Sequence, residues 1–192
     1  MRTRSHVSRD AIIQGALALW RTKGFAETSV TDICKAAGVS KALFYVYFAR
    51  KEDVLLHLEV FTVRDAHRAA EQVAARPYDL AEQVEAVIAV LEHNMRRYPA
   101  ELIFETLLET YRAEGRALAD GATDADLGFL FLQPFEQARR DGKLREDIDL
   151  ARVARIAQLL VADGIRDWAA AGATEKGLAR RLASEISALV SR

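Results

Sequence analysis

The sequence predicts an all-α fold of about nine helices, with a small N-terminal domain followed by a larger C-terminal one. The 192 residues include only ten Gly and three Pro, the residues that most often interrupt helices. Long stretches are rich in Ala, Leu, Glu and Arg, which favour helix. Apolar residues recur at intervals of three and four, as on one face of a helix. Hydrophobic residues make up 51% of the chain, enough for a substantial core.

The distribution of charge favours a nucleic-acid partner, although the net charge of −1 alone argues against one. Residues 1–57 carry nine Lys or Arg and five Asp or Glu, a net charge of +4. The remaining residues carry eighteen and twenty-three, a net charge of −5. A basic N-terminal unit on an acidic body is typical of a small DNA-reading domain attached to a larger domain that does not touch DNA.

Other features of composition bear on the cellular compartment. No uninterrupted apolar run approaches eighteen residues, so we expect no membrane span. The basic N-terminus lacks the apolar core of a signal peptide. The single cysteine, Cys34, excludes an internal disulfide and indicates a reducing compartment, so we expect a cytoplasmic protein. Its position on an inward helix face favours a packed, inert thiol over a redox sensor.

The first helix is expected from about Arg9 to Lys23, where Gly24 ends it. Its inner stripe comprises Ile13, Ala16, Leu17 and Trp20. Residues 1–8 are expected to form a mobile arm, which would either touch phosphates or remain a disordered tail.

The stretch 28–51 predicts a helix–turn–helix. Ser29 and Asp32 have the spacing of a capping box at the start of a helix that runs to Ala37. Gly38 ends that helix, where a left-handed conformation is usually required. A second short helix follows Ser40, and its two Phe side chains, one turn apart, are expected to point inward. Its other face is polar and aromatic, which fits a recognition helix.

The stretch from Arg9 to Leu58 resembles the DNA-binding domain of the tetracycline-repressor (TetR/AcrR) family. The matching residues are Ile12, Ala16, Trp20, Gly24, Phe25, Thr28, Ser29, Val30, Ile33, residues 37–41, Phe44, Tyr45, Tyr47, Phe48, Lys51 and Glu52. The resemblance implies a DNA-binding domain over residues 1–50 and an effector-binding and dimerisation domain over residues 51–192. It further implies a ligand-responsive repressor that binds a pseudo-palindromic operator as a homodimer. The alternative is a three-helix core with no nucleic-acid role.

Residue chemistry divides the expected DNA contacts into two kinds. Lys41 can donate to guanine acceptors or to phosphate, Ala42 can touch a thymine methyl, and Leu43 can make only apolar contacts. Leu43 departs from the polar residue that the family often has there. Hydroxyl and ammonium groups nearby suit phosphate oxygens. The complete expected set is Thr28, Ser29, Ser40, Lys41, Ala42, Leu43, Tyr45, Tyr47 and Lys51.

The C-terminal part is expected to contain a long helix 4 from Lys51, helix 5 after Asp79 and helix 6 around residues 102–111. A connection over residues 114–123 and a helix 7 over 124–140, kinked by Pro134, should follow. Aromatic residues are frequent here, and by spacing alone each is more often core than pocket. The family resemblance implies an effector cavity among helices 4 to 8. The expected ligand-binding residues are Phe104, Leu108, Tyr111, Phe131, Gln133, Phe135 and Trp168.

The last two helices, expected over residues 150–171 and 174–191, predict a subunit interface. The first of them is apolar over most of its circumference and therefore needs partners on two sides. Either a second subunit or the chain itself could cover both sides. The family resemblance favours a second subunit, because the family dimerises through its last two helices. The expected interface residues are Val153, Ala157, Leu160, Val161, Leu182, Ile186 and Leu189.

No motif predicts catalysis, a metal or a cofactor. The four histidines, His6, His57, His67 and His93, lack metal-ligand spacing. The chain has no nucleophile elbow, phosphate loop or dinucleotide turn. Glu105 and Glu109, four residues apart, are interpreted as solvated carboxylates. The expected partners are a double-stranded DNA operator, a second copy of the chain and an unknown small-molecule effector. The alternative is a helical module that uses its last helices to bind a different protein.

Overall fold

The computed structural model describes residues 5–174 and 176–190, except for the side chains of residues 5–7 and 58–62. These residues form ten α-helices and one 3-10 turn, without strands. The helices are α1 (Ser5–Lys23), α2 (Val30–Ala37), α3 (Lys41–Tyr47), α4 (Leu56–Ala74), α5 (Leu80–Met95), α6 (Ala100–Ala119), α7 (Asp124–Leu127), α8 (Leu132–Arg140), α9 (Leu150–Ala170) and α10 (Leu178–Val190), and the 3-10 turn is Lys51–Val54. The prediction of an all-α fold is confirmed.

Helices α1 to α3 form a small unit, called the head below, around its own apolar core. The core contains Ile12 and Trp20 from α1, Ile33 from α2, and Phe44 and Phe48, all nearly or fully buried. The cluster continues through the 3-10 turn to residue 55 and includes one residue of α6. The periodic apolar positions of three short helices thus produce one shared core.

Local caps define the turn between α2 and α3 as the sequence predicts. Ser29 Oγ accepts a hydrogen bond from the Asp32 backbone N–H at 3.2 Å, and Asp32 Oδ2 accepts one from the Ser29 N–H at 3.0 Å. Gly38 has a φ of 66°, the left-handed conformation that favours glycine. Ser40 Oγ then accepts from Leu43 N–H at 3.1 Å and starts α3. The capping box and the helix stop are therefore confirmed.

The larger unit, called the body, comprises α4 to α10 and has a second core, to which all of these helices except α7 contribute. Helix α5 packs between α4 and α10, and α9 crosses α6, α8 and α10. A Cβ on Gly164 would lie 2.8 Å from Leu182 Cδ2, so the two last helices approach each other closely at this glycine. The core also contains Trp168, over whose ring Arg96 lies at 5.0 Å.

Several predicted boundaries are wrong. Helix α1 begins at Ser5, so residues 5–8 are helical, and the rest of the expected arm lies outside the described residues. Helix α6 continues to Ala119 through the expected connection. The expected helix 7 is two helices, α7 and α8, and Pro134 is the third residue of α8. At that position a backbone N–H would lack an intrahelical partner, so proline causes no kink.

Candidate nucleic-acid interface and ligand cavity

Helix α3 presents one exposed face and is held by two buried rings. Phe44 and Phe48 are buried, and their ring centroids lie 5.6 Å apart. Lys41 and Ala42 are exposed at the first turn, and 55% of Tyr45 is exposed on the next. The structure thus brings the expected base-reading positions together on the outer side of a firmly packed helix.

The caps at the starts of α2 and α3 are at the surface. Ser29 and Ser40 are exposed, and both hydroxyl oxygens accept backbone N–H groups of their own helices. Asp32 Oδ2 also accepts a hydrogen bond from Lys23 Nζ at 2.8 Å. This bond, together with those from Ser29, holds the pKa of the Asp32 carboxyl well below its usual value. Helix α2 is thereby fastened to the end of α1.

Two residues expected to contact phosphate are instead used inside the head. Lys51 Nζ donates to Phe25 O at 2.8 Å, Thr28 O at 3.0 Å and Ala26 O at 3.4 Å, and lies 4.4 Å from the Phe25 ring centroid. An ammonium group has three donors, so none remains for DNA. Thr28 is buried and its Oγ1 donates to Gly24 O at 2.6 Å. Both expectations are corrected, because these groups close the connection between α1 and α2.

The remaining expected DNA residues, Leu43 and Tyr47, are only partly exposed on α3. Val46, the apolar residue that follows Tyr45 on α3, is 73% exposed. Sequence reasoning therefore placed the outward face of α3 well, but it overestimated the number of free donors around it.

The body contains a cavity of about 100 Å³ between α4, α5, α6 and α9. That volume exceeds the space one water molecule needs, roughly 10–15 Å³ on the same measure. Most of the lining is aliphatic and includes Leu91, Leu102, Ile103, Leu107, Val161 and Ile165. Polar side chains enter the lining at Asn94, Thr106, Thr110, Glu114 and Gln158. The cavity suits a small apolar molecule with a polar group.

One end of this cavity carries a buried polar cluster. Glu114 Oε2 lies 2.9 Å from Arg155 Nη1, and Glu114 Oε1 accepts a hydrogen bond from Gln158 Nε2 at 3.4 Å. Gln158 Oε1 accepts the Leu130 backbone N–H at 3.2 Å. Glu114 Oε2 is buried and has no hydrogen-bond partner among the described residues, so the cluster offers an acceptor to a bound molecule.

The structure places few of the expected ligand-binding residues at the cavity. Tyr111 lines it. Gln133 lines an adjacent open groove beside α4 and donates to Glu71 at 2.9 Å. The others do not line the cavity: Phe131, Phe135 and Trp168 are buried in the body core, Phe104 is exposed and Leu108 is half-buried.

Aromatic content alone did not separate the lining from the core, because Tyr98, Tyr111 and Phe129 line the cavity whereas Phe131, Phe135 and Trp168 do not. Another signal was available in α6, where Thr106, Thr110 and Glu114 recur every four residues. Residues four apart lie on one helix face, so this series predicts a polar stripe directed at one place.

The expected subunit interface is also partly corrected. Ala157, Val161, Leu182 and Ile186 are buried within the body of a single subunit, where they hold α9 and α10 to the core. Three expected residues, Val153, Leu160 and Leu189, retain exposure. Exposed apolar side chains that were not singled out are Ile156 and Leu159 on α9. Most apolar side chains of α9 are therefore buried inside the chain. The exposed ones, such as Ile156 and Leu159, leave a narrow apolar surface that a partner could cover.

Comparison with known proteins agrees with these features. A family model for bacterial regulatory proteins of the tetR family matches residues 12–58. The transcriptional regulator EthR of Mycobacterium tuberculosis is 33% identical over 126 residues, which cover 64% of this chain and 54% of EthR. The chain thus matches about half the length of this curated relative. FadR of Thermus thermophilus, a TetR-family transcriptional repressor in complex with lauroyl-CoA, has a TM-score of 0.70 and 27% identity, covering 94% of this chain and 92% of FadR.

Residues 12–58 match the tetR family of bacterial regulatory proteins, and the whole fold resembles that of a TetR-family repressor. A TetR-family regulator from Mesorhizobium loti shares the fold over the whole of both chains, with a TM-score of 0.68 at 20% identity. The head contains most of the matched residues, and α4, α5, α6 and α9 of the body enclose the cavity.

In the part of the chain that the structure describes, no three His, Cys, Asp or Glu side chains are grouped so as to hold a metal ion. None of the described helices is long and apolar enough to cross a membrane.

The contacts of Lys51 lead to a prediction about stability. Replacing Lys51 with Ala removes three charge-assisted hydrogen bonds inside the head, and should lower the free energy of unfolding by about 1.5–3 kcal/mol. Lys35→Ala removes the same charge from an exposed position on α2 and should change it by less than about 0.5 kcal/mol. Urea denaturation at matched protein concentration measures both. If Lys51→Ala leaves stability unchanged but lowers the salt dependence of DNA binding, Lys51 is a phosphate contact instead.

Proposed function

We propose that this protein is a ligand-responsive transcriptional repressor of the TetR family that binds a pseudo-palindromic operator as a homodimer. The observation that carries the proposal is the exposed face of α3, which two buried phenylalanines hold on a head matched by the family's DNA-binding model. The chain matches only about half the length of its curated relatives, so its activity and partners rest on this geometry together with the family relationship.

The head would read DNA by inserting α3 into the major groove. Lys41 at the exposed first turn is the candidate for a base-edge contact, and Ala42 allows close approach. Tyr45 and the surface hydroxyl of Ser40 are suited to phosphate oxygens. The Ser29 hydroxyl already donates to Asp32 Oδ2 at 2.8 Å. Two heads on a twofold axis would contact half-sites about 34–36 Å apart, or a multiple of that distance.

We propose that the subunits associate through the outer faces of α9 and α10. Support comes from Ile156 and Leu189, which are 38% and 61% exposed although both are apolar. We also propose residues 1–50 as the DNA-binding domain and residues 51–192 as the effector-binding and dimerisation domain. In support, all but one of the buried residues of the head core lie between positions 12 and 55.

The effector would bind in the cavity of the body, with its apolar part against the aliphatic lining and its polar group at Glu114 and Gln158. The lauroyl-CoA in FadR of T. thermophilus, at 27% identity, supports a ligand with a large apolar part. A ligand that favours one arrangement of the body would alter DNA affinity, typically by about 1–3 kcal/mol, and DNA would alter ligand affinity equally.

The family consists of regulators, and we assign this chain no catalytic role and no cofactor. A repressor acts where its operator is, so we place the protein in the cytoplasm.

The position of Lys41 predicts a base-specific effect. Lys41→Ala should cost about 1–3 kcal/mol on the operator, and the preference should relax at one base pair in each half-site. Lys176→Ala removes the same charge from the connection between α9 and α10 and should leave binding unchanged. Gel-shift titrations measure the affinity of each variant for the operator and for random DNA. An equal loss of affinity for both would indicate that Lys41 contacts only phosphate.

The exposed residues of α9 and α10 predict the subunit interface. Ile156→Arg or Leu189→Arg should convert the dimer into a folded monomer, because an unpaired charge in an apolar interface is strongly unfavourable. That monomer should lose about a hundred-fold or more in operator affinity, since the second head no longer binds at a high effective concentration. Leu118→Arg makes the same change on an exposed site of α6 and should remain dimeric.

Sedimentation, with circular dichroism to verify helicity, measures the outcome. If both α9 and α10 variants fold and stay dimeric, the interface lies on another surface. If a monomer binds the operator with undiminished affinity, two-headed recognition is refuted.

A further inference from the structure

The carboxylate of Glu109 on α6 is completely buried, with 0% of its side chain exposed. Sequence reasoning interpreted it as a solvated carboxylate, and that interpretation is wrong. Three guanidinium groups surround it: Arg50 Nη2 lies 2.7 Å and Arg116 Nη2 2.9 Å from Oε1, and Arg112 Nη1 lies 3.4 Å from Oε2. Arg112 and Arg116 belong to the same helix as Glu109, whereas Arg50 belongs to the head.

Arg50 lies between the recognition helix and the start of α4, immediately before the 3-10 turn. Its side chain also donates to Asp53 Oδ1 at 2.9 Å, and its backbone N–H donates to Asp53 Oδ2 at 3.0 Å. The turn therefore orients the guanidinium group towards α6. The ion pair with Glu109 joins the head to the body over 59 residues of sequence.

Electrostatics keep this pair ionised. Burial alone would raise the pKa of the Glu109 carboxyl, but hydrogen bonds from Arg116 and Arg50 outweigh it and hold the pKa below its usual value. The hydrogen bond to Glu109 likewise raises the pKa of Arg50. A carboxylate removed from water and paired in this way has few alternative positions, because moving away from its partners leaves a buried charge uncompensated.

The helix that carries Glu109 also forms much of the cavity wall. Thr106 and Thr110 line the cavity. Glu109 is one residue before Thr110, so it points about 100° around the helix from that lining. A molecule that displaces this stretch of α6 therefore displaces Glu109 with it.

We propose that Glu109 and Arg50 are positioning residues for operator recognition, whose ion pair holds the DNA-reading head at a fixed angle to the helix that lines the ligand cavity. This inference rests on the proposed function, because the angle matters only if two heads must match two half-sites. The pair does not touch DNA bases or ligand. It acts by limiting the orientations in which α3 is presented.

The test is the selectivity of the dimer for half-site spacing. One inserted base pair shifts a half-site by about a tenth of a helical turn, so heads held at a fixed angle should bind the altered operator less tightly than the native one. The affinity for the native operator divided by that for the altered operator, called the spacing ratio below, reports whether the angle is fixed. A merely weakened phosphate contact cancels in that ratio, since it lowers both affinities equally.

Glu109→Gln is expected to lower the spacing ratio about five-fold or more, within the usual range of coupling between sites. Arg50→Gln should lower the ratio similarly, which keeps the test valid if one variant fails to fold. Arg112→Gln is the matched control, since it removes a neighbour of Glu109 on α6 without removing the link to the head. It should keep the wild-type ratio. Circular dichroism and urea denaturation verify that each variant is folded.

An unchanged ratio in folded Glu109→Gln and Arg50→Gln overturns the inference. So does an equal fall in Arg112→Gln, which would indicate a general loosening of α6. Failure of the proposed function gives a different result, because the wild-type protein would then bind no operator or show no spacing preference.

Discussion

Two adjacent residues of α6 are buried in two different hydrophobic cores, and the arrangement of the molecule depends on this constraint. Leu102 packs in the core of the head, whereas Ile103 packs in the core of the body. Neighbouring positions on a helix point about 100° apart, so one short segment is fixed by two independent sets of contacts. Helix α6 therefore cannot shift in the body without disturbing its contact with the head.

The remaining contacts between head and body extend this constraint in different ways. Tyr98, just before α6, lines the cavity and lies 5.0 Å from the guanidinium group of Arg21 on α1. Apolar and ring contacts of this kind exclude water but tolerate small rotations. The planar guanidinium of Arg50 imposes direction on its carboxylate partner. Together these contacts bring the head close to the body and define the angle between them. Recognition of two half-sites by two heads would require both.

Those parts of the structure that local chemistry determines could be predicted from sequence. The capping box at Ser29, the left-handed Gly38 and the paired rings of Phe44 and Phe48 depend on residues within one or two turns. The ion pair of Arg50 with Glu109 could not be predicted, because the partners are 59 residues apart and nothing local to Glu109 indicates burial. The lining of the cavity could not be predicted for a related reason. An aromatic side chain suits a core as well as a cavity wall, and only the packing of several helices decides in which of the two it lies.

The central proposal is that this protein reads DNA with two heads set at a fixed separation. Selection of bound sequences from a pool of random duplexes tests it most directly, because the experiment assumes neither an operator nor an effector. The account predicts enrichment of two inverted half-sites whose centres are about 10–10.5 base pairs apart, or a multiple of that spacing. Enrichment of a single unpaired half-site, of half-sites at variable spacing, or of no sequence would contradict it.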